Sequence, residues 1–93
     1  GIQILEPGNN SRIDSNEVKI RVSVASDQSI EWVDLYLDGN KEARWEKPPY
    51  EQMFTLDIGV HEIRVRARNS VGIENETSVN IGVKVEVNPT PTP

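Results

Sequence analysis

Arginines occupy every second position of EIRVRARN, residues 62–69, as Arg64, Arg66 and Arg68. In an extended strand, side chains two apart share a face, so the three guanidinium groups form a stripe. Such a stripe suits three chemistries: binding a polyanion, rimming a sugar platform, or packing against neighbouring strands. Trp32 and Tyr36, with Asp34 between them, follow the same alternation. The two aromatic residues stand about 13 Å apart at ~3.3 Å per residue, a distance that skips one sugar ring. Trp45 would widen that platform if its short strand borders the strand of Trp32. His61, the single histidine, sits with outward parity or at a sheet end. It reads as packing on the turn at Gly59 rather than as a base or a metal ligand.

The parts that catalysis needs are missing. There is no cysteine, hence no disulfide framework and no thiolate metal site. No glycine-rich phosphate loop and no nucleophile elbow occur. Acidic pairs such as Glu42 and Glu46 would need a cleft between them to act on a glycosidic bond. The expectation is therefore a non-enzyme without cofactor. Glu6, Asp14, Asp27, Asp38 and Asp57 fall near loops, but no D-x-D-x-D spacing gathers them for calcium, and ordinary turn chemistry accounts for them. Asn9-Asn10-Ser11 and Asn75-Glu76-Thr77 match the glycosylation sequon, both in expected turns.

Fifteen acidic residues against ten Lys and Arg leave a net charge of −5, which argues against nucleic acid as a partner. No apolar run approaches the ~18 residues of a membrane span, and no basic, apolar leader opens the chain. The absent initiator methionine and the abrupt NPTPTP end point to a piece of something longer.

The elements that must carry these residues alternate with a period of two. Residues 18–26 set Val18, Ile20, Val22 and Val24 against Lys19, Arg21 and Ser23. Residues 32–39 set Val33, Leu35 and Leu37 against Trp32, Asp34 and Tyr36. Residues 61–68 set Ile63, Val65 and Ala67 against the arginines, and 78–87 put Val79, Ile81, Val83, Val85 and Val87 inside. Weaker segments at 2–5, 41–47 and 49–57 complete a set of about seven short strands with turn signals every 8–12 residues, the pattern of a two-sheet sandwich. Phe54 joins the expected core. One domain of 93 residues buries roughly two-thirds of its unfolded surface. The Pro/Thr-rich 88–93 segment reads as an interdomain linker stiffened toward polyproline II, which leaves 1–87 as the domain.

WVDLYLDGNKEARWEKPPYEQMFTLDIGVHEIRVRARNSVG resembles the bacterial immunoglobulin-like domains of modular secreted proteins. Val33, Leu35, Tyr36, Asp38 and Gly39 match a strand ending V-x-L-Y-x-D-G. Pro49 and Tyr50 follow, and Gly59, His61, Ile63, Val65 and Ala67 match G-x-H-x-I-x-V-x-A. Gly72 marks the next turn. IQILEPGNNSRI is similar to the family's first strand and turn. Asn69 departs from the Asp common at that position, and the arginine stripe is no part of the pattern. The resemblance implies an immunoglobulin-like antiparallel sandwich. It also implies a secreted or cell-surface accessory module that spaces, stabilises or docks a neighbouring domain of the same polypeptide, monomeric when isolated.

In such a sandwich, residues 30–38 and 61–69 become antiparallel neighbours. If Leu35 faces Val65, then Asp34 lies across from Arg66, Trp32 from Arg68 and Tyr36 from Arg64. A slip of two residues keeps the same alternation, whereas a slip of one turns a core face to water. The next strand would set Glu62 across from Lys84 and Arg64 from Gly82. Packing within the sheet is then the preferred account of the arginines, through cross-strand pairs and cation–π contacts. The alternative is a polysaccharide face made of Trp32, Asp34, Tyr36, Trp45, Arg64, Arg66 and Arg68.

Overall fold

The computed structural model describes residues 1–87, so the expected linker at 88–93 lies outside the described residues. Eight strands occur: β1 (Ile2–Glu6), β2 (Ser11–Ile13), β3 (Glu17–Val24), β4 (Ile30–Leu37), β5 (Asn40–Trp45), β6 (Tyr50–Thr55), β7 (Gly59–Asn69) and β8 (Glu74–Val83). They form a three-stranded sheet, β1-β3-β6, and a five-stranded sheet, β2-β8-β7-β4-β5. The additional strand is β2, a three-residue piece that runs parallel to β8 beside Ile81–Val83. It is too short to show a period in the sequence.

The core fills the space between the two sheets. Val18, Ile20 and Val22 come from one side, and Val33, Leu35, Leu37, Ile63, Val65, Ala67, Ile81 and Val83 from the other. Ile4 and Leu56 are also buried, whereas Phe54, Val24 and Val79 are only partly covered. β4 and β7 pair with Leu35 opposite Val65, the expected register. β7 and β8 do not pair as expected: Glu62 faces Asn80 and Arg64 faces Ser78, four residues from the anticipated partners. The cause is a tighter turn. Asn69 Oδ1 accepts from the N–H groups of Val71 and Ile73 at 3.1 and 3.0 Å, and Gly72 takes φ +87°. Because four is even, every side chain keeps its face. The same shift places Asn75 inside β8 rather than in a turn.

The last strand also stops early. Lys84 adopts φ 58° and the chain folds back, so that the carbonyl of Val85 lies against Gly82, where a side chain would collide with it. Val85 and Val87 are thus outside the strand and half-buried rather than core residues.

Pairing defines two ends. The N-terminal amine donates to Ala25 O at 2.7 Å, and Ile30 pairs with Asn69. The N-terminus, the 25–29 loop and the β7–β8 turn therefore share one end. At the other end lie the two-residue β4–β5 turn at Asp38–Gly39, the crossover 56–58 and the exit past Val83. Both Asp38 (φ 51°) and Gly39 (φ 86°) have positive φ, the geometry that suits the twist of a two-residue hairpin.

Candidate functional site

Alternation carries Trp32, Asp34, Tyr36, Arg64, Arg66 and Arg68 to the outer face of the five-stranded sheet. Cross-strand register sets Trp32 beside Arg68, Asp34 beside Arg66 and Tyr36 beside Arg64. Trp45 is not among them. It pairs with Val33 and packs against the core, because Ala43 and Trp45 form the inward alternation of β5. Its Nε1 donates to Gln52 Oε1 of β6 at 3.4 Å, bridging the two sheets where neither strand has a further neighbour.

Asp34 anchors the outer face. It is 2 % exposed, yet its bonds go not to Arg66 but to β5, which register brings alongside through Arg44. Arg44 donates through Nε to Oδ1 at 2.7 Å and through Nη2 to Oδ2 at 2.9 Å, the bidentate fork that suits a carboxylate. Lys41 Nζ lies 3.3 Å from Oδ2. Burial pushes the Asp34 carboxyl upward, but the hydrogen bonds from Arg44 and Lys41 outweigh it and hold the group below the usual carboxylate range.

Both outer aromatic rings are half-buried and both carry a cation. The Arg44 guanidinium stands 4.5 Å from the Trp32 ring centroid, and that of Arg64 stands 4.9 Å from Tyr36. Arg64 Nε is buried without a hydrogen-bond partner, so this arginine is held by its ring rather than by a carboxylate. Arg66 Nη2 reaches Glu76 Oε2 at 3.2 Å. Arg68 bonds Glu74 at 3.1 Å and Glu31 at 3.3 Å. The sequence reading omits Arg44, Lys41, Glu31, Glu74 and Glu76. Arg44 is legible as the outward residue of the NKEARW alternation, and Glu74 and Glu76 become so once the turn register is known.

His61 has inward parity, not outward, at the end of the sheet. Its Nδ1 lies 2.6 Å from Asp38 Oδ2 and its Nε2 2.7 Å from the carbonyl of Asp57. Among the described residues no group of three His, Cys, Asp or Glu is placed to hold a metal. An open concavity of about 480 Å³ lies away from the arginine stripe, beside the three-stranded sheet, lined by residues including Leu5, Arg21, Pro48, Pro49 and Tyr50.

A family model described as bacterial Ig domain matches residues 1–65, which carry β1 to β6 and the first half of β7. The chain belongs to the bacterial Ig domain family. Among solved structures, this Ig domain is similar to the fibronectin(III)-like modules of Clostridium thermocellum CbhA, at 28% identity and a TM-score of 0.77, covering 90% of this chain and 97% of that one. It also overlays part of a Jonesia denitrificans lytic polysaccharide monooxygenase (18% identity, TM-score 0.59, 83% of this chain and 59% of that one). A third match is Bacteroides ovatus SGBP-B, solved in complex with a mixed-linkage heptasaccharide (13% identity, TM-score 0.57, 96% of this chain and 26% of that one). At those two lower identities the likeness concerns the fold alone. No curated protein matches the chain.

Proposed function

We propose that this Ig domain is a non-catalytic spacing and docking module of a larger secreted or cell-surface protein, with residues 1–87 as the folded unit and 88–93 as its linker to a neighbouring domain. The observation that carries this reading is the occupied outer face. A sugar stacks on a bare aromatic ring, and here Arg44 and Arg64 already cover Trp32 and Tyr36. The charges around them are met by Asp34, Glu31, Glu74 and Glu76 from the same sheet. The exposed large apolar side chains lie elsewhere. Ile58 and Val60 are near the exit end, Val71 and Ile73 near the N-terminal end, and Leu5 and Met53 belong to the other sheet. Contacts through the ends suit a module in a string of domains.

The second reading, a carbohydrate-binding face, is favoured by one observation: Trp32 and Tyr36 share a face and keep part of their surface in water. A ligand would have to displace both guanidinium groups. Tryptophan fluorescence titrated with soluble xylan, glucan and chitin oligomers separates the two. The spacer reading expects a flat response from the parent domain. A saturable shift that Trp32→Ala abolishes in a still-folded domain replaces it with the carbohydrate reading.

A further inference from the structure

The two groups that meet the His61 ring are both acceptors. One is the Asp38 carboxylate at Nδ1, the other the Asp57 carbonyl at Nε2. A neutral imidazole has a single N–H and can satisfy only one of them; the imidazolium satisfies both. Asp38 cannot relieve the conflict by donating. Burial pulls its carboxyl up, but bonds from His61 and from the Glu62 N–H, the latter at 2.8 Å to Oδ1, hold it below its ordinary range. The observed geometry therefore belongs to a ring carrying both protons.

The partners come from different parts of the fold. Asp38 forms the β4–β5 turn of the five-stranded sheet. Asp57 opens the crossover from β6 in one sheet to β7 in the other. Just before it, Leu56 is buried and tied at both backbone groups to Asn16, N to O at 2.7 Å and O from Nδ2 at 2.9 Å. Just after it, Ile58 and Val60 stand 63 % and 53 % exposed around Gly59 at φ 144°. The imidazole is only 14 % exposed, and it fastens the crossover to the turn.

We propose that His61 is a pH-operated latch: as an imidazolium it holds the crossover at Asp57 and Ile58 against the β4–β5 turn, and on losing a proton it releases Ile58 and loosens the start of β7, where Val60 stands. The charged groups acting on the ring are Asp38 from the turn and Asp57 from the crossover, and both favour the cation. β8 contributes Ile81 opposite the ring, and on its own strand the neighbouring Glu62 engages Asp38 through its N–H. Burial works against the charge, but the Asp38 and Asp57 bonds prevail and raise the ring above its ordinary value. A raised folded-state value means the latch contributes fully below about pH 6.5, the unfolded value, and fails as pH climbs through the folded one.

The test uses the whole chain. NMR of the ring nitrogens titrates His61, and amide exchange at residues 58–61, corrected for the intrinsic pH dependence, reports the crossover and the start of β7. The midpoint is expected above about 6.5. Crossover protection should fall about tenfold across it, the scale of one charge-assisted hydrogen bond lost, while Leu35 and Val65 keep theirs. Asp38→Asn retains an acceptor but removes the charge; it should lower the midpoint and carry the loss of protection down with it. His61→Gln should abolish the step. A midpoint at or below 6.5, or crossover protection indifferent to ring protonation, overturns the proposal. The unaltered chain decides this by itself if either variant folds poorly.

Discussion

Replacing Asp34 by Asn asks how much the covered face of this Ig domain depends on the one buried charge among the described residues. The carboxylate accepts two bonds from Arg44 and faces Lys41 at 3.3 Å. Three charge-assisted contacts, taken as additive, would total about 5–9 kcal/mol. Additivity fails here, because the Arg44 and Lys41 side chains are 41% and 43% exposed and recover water once the anion is gone. Asparagine also keeps one acceptor, although its NH₂ then confronts a cation. The net loss should be about 2 kcal/mol, below the ~3–5 kcal/mol of breaking a fully buried pair, because both cations regain water. For a domain of this size that is a fall of roughly 8–16 °C in Tm.

Urea and thermal unfolding of parent and variant at neutral and acid pH would measure it. The folded Asp34 carboxyl lies below 3.8, so its contribution is complete above the unfolded value and disappears as pH falls through the folded one. The gap between parent and variant should accordingly be widest at neutral pH and narrow in acid. A gap within ~0.5 kcal/mol at pH 7, the range of ordinary surface substitutions, would refute the reasoning. So would a gap that acid leaves unchanged.

Gly82→Ala drives a methyl group into the Val85 carbonyl. It should cost about 1–3 kcal/mol, as overpacking does, with increased amide exchange confined first to residues 84–87. Trp45→Ala removes the bridge between β5 and β6 and should cost about 2–3 kcal/mol by chemical denaturation, below the ~3–5 kcal/mol of truncating a fully buried tryptophan because the ring is only half-buried. Asn69→Ala leaves the N–H groups of Val71 and Ile73 without the side-chain oxygen that accepts from both. About 1 kcal/mol of stability should go with it, and those two amides should exchange faster while the β4–β7 ladder stays protected.

Strand identity and facing are legible in the sequence because Leu35, Leu37, Ile63 and Val65 leave only one parity that buries them. Parity fixes the β4–β7 register only to within steps of two, of which Leu35 opposite Val65 is the one observed. The expectation that Trp45 widens the outer platform rests on its nearness to Trp32 alone. The alternation of Ala43 and Trp45 with Glu42 and Arg44 points the other way, and parity turns its ring toward Gln52 and away from Trp32. What resists sequence reasoning is anything decided by a turn. The β7–β8 register depends on Asn69 reaching two N–H groups ahead, and the end of β8 depends on Lys84 entering the left-handed region. The partners of His61 lie on a hairpin turn and a crossover, which only the finished fold brings together. The true partners of Asp34 likewise depend on β5, whose pairing with β4 is interrupted between Leu35 and Tyr36.

The arginine stripe itself is indifferent to register. Slide β7 by two residues along β4 and Asp34 faces Arg64 or Arg68 in place of Arg66. Slide β8 by two along β7 and Glu74 meets Arg66 while Glu76 meets Arg64. Each shifted arrangement keeps opposite charges across the ladder, where a pair contributes roughly 0.2–1 kcal/mol. The stripe therefore cannot select the observed pairing. Selection falls to the Asp38–Gly39 and Asn69–Ile73 turns, and to the fit of Leu35 against Val65. The stripe instead supplies a cation to whatever anion or ring the neighbouring strand presents. An acidic chain gains from such a stripe, because it neutralises Glu31 of β4 and Glu74 and Glu76 of β8 locally and covers the Tyr36 ring, while Arg44 of β5 covers Trp32.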